Sequence, residues 1–123
     1  MSENANIEIP EHLDFKCPVS KNVIEFRCFK KNRDAYMEYV NIDYDVPKAF
    51  FVILRQAIDK LKNLGYDRIV QTVLEEDWNN SLKHDKWVIK HVDKGIQNLY
   101  VIQCNIDDAL ENISYGLGFE TKI

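Results

Sequence analysis

One stretch, Val46 to Glu76, limits what this chain can fold into, because helix, stop and strand signals follow one another there without conflict. Pro47 suits the first turn of a helix: its φ is already helical, and its missing N–H would lack a partner there anyway. Val46 before it is driven toward extended backbone. Phe50, Leu54, Ala57, Ile58 and Leu61 then recur at spacings of three and four, with Arg55, Asp59, Lys60 and Lys62 opposite, the pattern of an amphipathic helix. Gly65 supplies a left-handed stop, and Lys60 and Lys62 sit near the negative end of the helix dipole. Ile69, Val70, Thr72 and Val73 are all branched at Cβ and favour a pleated strand. The stretch reads as a helix of roughly 17 residues, an ordinary globular length, that leads into a buried strand.

A chain of 123 residues fits one domain with one core. Residues 1–14 are polar and acidic, with Pro10 interrupting them, and are expected to form a flexible arm. Residues 15–123 are then a single α/β domain. Phe15 to Cys17 reads as a short edge strand ended by Pro18, with a turn over Ser20 to Asn22. Val23 to Phe29 follows as a strand with Ile24, Phe26 and Cys28 on its apolar face. Lys30 to Asp34 is a polar connection, and Tyr36 to Tyr44 returns as a strand with Tyr36, Glu38, Val40, Ile42 and Tyr44 on one side.

Beyond the central stretch, Asp77 is placed to cap a short helix from Trp78 to about His84, on which Trp78 and Leu82 share a face. Trp87 to Val92 and Leu99 to Asn105 form a hairpin about Asp93-Lys94-Gly95, with the glycine available for positive φ. Asp107 or Asp108 opens a last helix that turns Ala109, Leu110 and Ile113 inward and ends at Gly116 to Phe119. The expected class is α/β with α+β character: one mostly antiparallel mixed sheet, one long helix and two short ones.

Composition excludes several functions. No apolar run approaches the roughly 18 residues of a membrane span, and the N-terminus lacks the basic start and apolar core of a secretory signal. A cytoplasmic protein is expected. Cys17, Cys28 and Cys104 are odd in number and have no paired metal spacing, so they read as reduced thiols, Cys104 as a small buried apolar group. A net charge of -4 gives no general attraction to nucleic acid. The basic run Arg27, Lys30, Lys31 and Arg33 beside Phe26 and Phe29 reads as a solvated turn whose rings serve the core. His84, His91, Asp85 and Asp93 carry ligating atoms, but the break between helix and strand denies them a common focus, and no metal is expected.

The spacing Ala57, Leu61, Gly65, Ile69 and Val73, set between a strand ending at NIDYDV and a strand IVQTVLEED, resembles the helix–glycine–strand unit of the GNAT family of N-acetyltransferases. Asn105 through Ala109 to Gly118-Phe119 is similar to that family's ending. The resemblance covers about residues 36–105 and implies the order of elements in the C-terminal half of that fold. It also implies an acetyl-CoA site whose phosphates rest on the loop that opens the long helix, here Val46, Lys48 and Ala49 around Pro47. Glu75 or Glu76, at the end of the following strand, would take a proton from an amine, and Tyr115 would stand as an acid near the cofactor sulfur.

The family's loop is rich in glycine, whose free N–H groups hold the pyrophosphate at a helix N-terminus. Val46-Pro47-Lys48-Ala49 has no glycine and one N–H fewer. The leading expectation is therefore a non-catalytic domain without a cofactor, acting through a protein partner or self-association. The alternative is an N-acetyltransferase for a small molecule or a protein, with an altered acyl-CoA loop.

Overall fold

The computed structural model describes residues 8–80, 83 and 86–116. Six strands form one sheet: β1 (Glu11–Lys16), β2 (Val23–Phe29), β3 (Asp34–Asn41), β4 (Arg68–Leu74), β5 (Val88–Asp93) and β6 (Leu99–Asn105). Their order across the sheet is β1-β2-β3-β4-β6-β5. Every neighbouring pair is antiparallel except β3 and β4, which are parallel. The crossover between those two is the long helix α1 (Pro47–Asn63), and two shorter helices, α2 (Glu75–Asn80) and α3 (Ile106–Gly116), follow β4 and β6 directly. The expected class, one mixed and mostly antiparallel sheet with one long and two short helices, is the one observed.

Helix α1 runs over the 17 residues that its periodicity demands, with Pro47 in its first turn and Lys60 and Lys62 in its last. Gly65 adopts φ 95°, the left-handed stop. Phe50, Ala57, Ile58 and Leu61 are buried as expected, joined by Ile53, while Leu54 packs at the margin. They lie on Ile24, Phe26 and Cys28 of β2, Ala35 of β3, Ile69 of β4 and Cys104 of β6, and α3 closes the same core with Ile106 and Ala109. Burial of each large side chain contributes about 1.5–3 kcal/mol relative to exposure. Lys62 Nζ stands 2.7 Å from Asp107 Oδ1, so the basic end of α1 meets the acidic start of α3. Both charges complement the helix termini on which they sit.

Several boundaries differ from expectation for identifiable reasons. The edge strand begins at Glu11 rather than Phe15, because Leu13 and Phe15 alternate onto the core and every residue from Glu11 to Lys16 pairs with β2. Strand β3 covers Asp34–Asn41 rather than Tyr36 to Tyr44. Its pairing with β2 steps from Phe26↔Met37 to Glu25↔Tyr39, leaving Glu38 as an extra residue. This β-bulge breaks the alternation: Met37, Val40 and Ile42 pack on the core, and Glu38 and Tyr39 are both exposed. Helix α2 begins at Glu75, so Glu75, Glu76 and Asp77 form its first turn and Asp77 is not its cap. Leu82, His84 and Asp85 lie outside the described residues. Strand β5 starts at Val88, one residue late, and Gly95 does not use positive φ. Helix α3 begins at Ile106, just before Asp107, with Ala109 buried as expected; the side chain of Ile113 and residues Gly118 and Phe119 lie outside the described residues.

Tyr66, buried after the α1–β4 turn, donates its hydroxyl to Glu11 Oε1 of β1 at 3.2 Å. Burial first, then nearby Cys28 and the bond to Glu11, push its pKa up to about 12. The unfolded chain loses this proton near the ordinary value of 10, so the folded state binds it more tightly across that interval. Stability is thus expected to fall as pH rises from 10 to 12. Urea unfolding of Tyr66→Phe should show a shallower decline over this window than the parent; parallel curves would contradict the assignment.

Candidate functional site

The parallel pair at the sheet centre is hydrogen-bonded over a short length only. Asp34, Ala35 and Tyr36 of β3 face Arg68, Ile69 and Val70 of β4. Beyond that, β3 continues to Asn41 against β2, and β4 continues to Leu74 against β6, with no pairing to each other. The bulge at Glu38 lies where the two strands part, and a bulge bends and twists its strand. The inner edges of Met37–Asn41 and Gln71–Leu74 therefore bound a gap inside the sheet, carrying backbone groups without a strand partner. A cavity of about 230 Å³ lies at its base, lined by Arg27, Tyr36, Met37, Glu38, Val70, Gln71 and Thr72.

Charged side chains brace that base on the sheet face opposite the core. Asp34 is buried, and Arg68 Nε lies 2.6 Å from its Oδ1, while the same guanidinium donates to Asn32 O. Lys90 is itself the extra residue of a bulge in β5, where pairing steps from Ile89↔Ile102 to His91↔Val101. Its Nζ donates to the Tyr36 hydroxyl at 3.0 Å and stands 3.8 Å from Asp34 Oδ2. Arg27 lies over the rings of Phe29 and Tyr36, at 5.5 and 5.7 Å, a cation–π arrangement. Its Nε is buried without a hydrogen-bond partner, 4.0 Å from Glu38 Oε2, and His12 Nδ1 stands 3.9 Å from that same oxygen.

The loop from β3 to α1 is pinned by Asn22, whose side chain is fully buried. Asn22 Nδ2 donates to Ser20 Oγ at 2.7 Å and to Val46 O at 3.5 Å, and its Oδ1 accepts from the Asp43 N–H at 2.7 Å. Asp43 in turn accepts from the N–H groups of Lys21 and Asp45. Val46 is the residue before the helix, with φ −136° and no side-chain cap, and its carbonyl accepts the Ala49 N–H at 3.1 Å. Val46 and Lys48 are exposed and Ala49 is half-buried.

Of the residues singled out from sequence, Val46 ends the loop after the C-terminal end of β3, and Lys48 and Ala49 lie in the first turn of α1. Glu75 and Glu76 lie at the C-terminal end of β4. The two groups thus follow the two strands that part. Glu75 Oε2 accepts the Tyr100 hydroxyl at 2.8 Å, and that bond, ahead of partial desolvation, raises the tyrosine pKa. Glu75 and Glu76 line a separate open depression with Leu74, Gly95, Ile96, Gln97 and Asn98 rather than the cavity at the base of the gap. Tyr115 sits on α3, and its side chain lies outside the described residues. The basic run disperses: Arg33 faces Asp67 at 3.5 Å, the Lys31 N–H bonds Glu8, and Arg27 turns to the gap. His91 stands 3.3 Å from Asp93, and among the described residues no metal-ligating cluster of three His, Cys, Asp or Glu forms.

Sequence reasoning missed Arg27, Lys90 and Asn22 as members of a site. Tyr36 and Glu38 were legible as neighbours on one strand face, but nothing in the letters marks either bulge. An Asn22→Ala variant would strand the Asp43 N–H and is expected to lose about 1–3 kcal/mol, with faster amide exchange at Asp43 and Val46. An unchanged urea midpoint and unchanged exchange would show that the loop does not depend on this side chain.

No family model matches the sequence, and no curated protein sequence matches it. Solved structures do match. The ribosomal-protein-S18-alanine N-acetyltransferase from Escherichia coli superposes with a TM-score of 0.62 at 12% identity, over 85% of this chain and 75% of that one. An acetyltransferase from Bacillus cereus ATCC 14579 gives 0.61 at 11% identity, over 85% and 84%. Nourseothricin acetyltransferase gives 0.57 at 7% identity over 69% of this chain, which spans 57% of that protein's length. At these identities the likeness is one of fold, and the fold is GNAT-like.

Proposed function

We propose that this chain is an N-acyltransferase of GNAT-like fold, with the gap between β3 and β4 as the place where the donor's extended thioester arm lies. The observation that carries the reading is the pairing of β3 and β4 over Asp34–Tyr36 alone, followed by two unpaired strand edges that face each other. An amide-bearing arm laid between them meets the N–H and C=O groups that the strands leave open, as an added strand would. Strand-end positions of this kind are where open α/β sheets bind ligands. The structures of similar fold are named as acetyltransferases, which supports the same reading.

The start of α1 does not fit a diphosphate. Pro47 has no N–H, the Ala49 N–H is bonded to Val46 O, and the carboxylates of Asp43 and Asp45 stand in the preceding loop. Acetyl-CoA is therefore not assigned a complete site, and no step is built on its nucleotide. The roles left to this chain are local. Strand edges orient the arm, and Glu38, exposed at the parting of the strands, is within reach of an amine entering the cavity.

A second reading, a domain that binds a protein partner without catalysis, draws on the same altered loop and on exposed apolar side chains of the sheet, Tyr39, Leu74 and Val88, at 50%, 40% and 54% exposure. One titration separates the two. Acetyl-pantetheine and acetyl-CoA are expected to bind with affinities within about threefold of each other, less than one hydrogen bond is usually worth. Acetyl-CoA binding far more tightly would mean that the phosphates are held after all. Binding of neither would remove the transferase reading and leave the partner reading standing.

A further inference from the structure

We infer that the cavity at the base of the gap is a subsite for a small zwitterion, a free α-amino acid whose carboxylate is held by Arg27 and whose ammonium is held by Glu38. The inference rests on the transferase reading for the fate of the amine, not for the binding itself. At about 230 Å³ the cavity is below the roughly 300–1,000 Å³ typical of pockets for drug-sized ligands. It takes a molecule of a few heavy atoms.

Its two charges are opposite and paired with each other only as a loose ion pair at 4.0 Å. The Arg27 guanidinium lies 5.5 and 5.7 Å from the ring centroids of Phe29 and Tyr36, and its Nε is buried with no acceptor. Glu38 reaches only 4.0 Å from that nitrogen, beyond hydrogen-bond distance, and His12 flanks the carboxylate at 3.9 Å from the sheet edge. The Tyr36 hydroxyl is already engaged by Lys90, so this residue offers its ring as a wall, beside Met37 and Val70.

A simple anion seated on Arg27 would lie against the Glu38 carboxylate. A simple amine seated on Glu38 would lie against the guanidinium. A ligand carrying both charges answers both groups at once, and its carboxylate makes charge-assisted bonds with the Arg27 guanidinium, whose side chain is 43% exposed. The bulge is what makes this pairing available: it turns Glu38 out beside Tyr36 where the strands part.

The test uses the whole chain and three probes: L-valine, N-acetyl-L-valine and L-valinamide, titrated to millimolar levels with amide shifts as the readout. L-Valine is expected to shift Tyr36, Met37 and Gln71 and to bind at least about tenfold more tightly than either blocked analogue. In Glu38→Gln, an exposed position on the bulge, the advantage over N-acetyl-L-valine should vanish; in Arg27→Gln, the advantage over L-valinamide should vanish. Equal binding of the three probes, or no shift at these amides, overturns the inference. If L-valine binds as expected but is not acylated with acetyl-pantetheine, the transferase reading fails and the subsite stands. If amines are acylated without regard to a carboxylate, the subsite fails and the transferase reading stands.

Discussion

The parting of β3 from β4 is the constraint on which the rest of this molecule turns. Parallel neighbours connected by a helix ordinarily pair along their length, and here pairing stops after Tyr36 and Val70. The extra residue Glu38 and the loop pinned by Asn22 hold β3 to β2 and away from β4. On the other side, β4 remains paired with β6 along its whole length, from Arg68↔Asn105 to Leu74↔Leu99. The sheet is consequently two halves joined at one end, with α1 and α3 packed over the joint and the core of Ile24, Phe26, Ala35 and Ile69 beneath them. Asp34, the first residue of β3, ties the joint through Arg68 and Lys90. A buried carboxylate held in this way is costly to unpair, so the joined end is expected to be rigid where the open end is not.

What could be read from the letters followed from periodicity. Helix α1 was legible in position and length, because a proline, an apolar repeat and a glycine agree on where it starts and stops. Strand β6 was legible because the mostly apolar run LYVIQCN returns after the turn signal Asp93-Lys94-Gly95. The sequence places the start of the edge strand too late because Glu11 to Asp14 look like a polar arm until pairing with β2 is known. The start of α2 was displaced because three carboxylates read equally well before a helix and within its first turn. The bulges were illegible: an added residue changes the register without changing composition, and it moved Val40 to the face opposite Glu38. The site suffered most from this. Arg27 reads as part of a basic turn and nothing singles out Lys90, because their meeting around Tyr36 depends on the order of strands in space.

The fold and the loop carry different messages about function. The fold is GNAT-like, and the strands at its centre part after Tyr36 and Val70, where the proposed function lays the donor's arm. The loop at the start of α1 lacks the backbone donors that a diphosphate needs, for reasons visible in Pro47 and in the bond between Ala49 and Val46. The proposal of a donor recognised by its arm rather than by its nucleotide would reconcile the two. The acidic loop residues Asp43 and Asp45 fit the same account, since their carboxylates make the position less hospitable to phosphate, while that of Asp43 accepts the N–H groups of Lys21 and Asp45.

The most direct test of the account is residue-resolved amide exchange of the free chain and of the chain with acetyl-pantetheine. Within Met37–Asn41 and Gln71–Leu74, amides bonded to β2 or β6 should be protected in the free chain, while those turned into the gap exchange readily. Added acetyl-pantetheine should slow the second set alone. Uniform protection in the free chain would mean that the strands are not parted, and an exchange pattern untouched by the ligand would mean that the gap does not hold it.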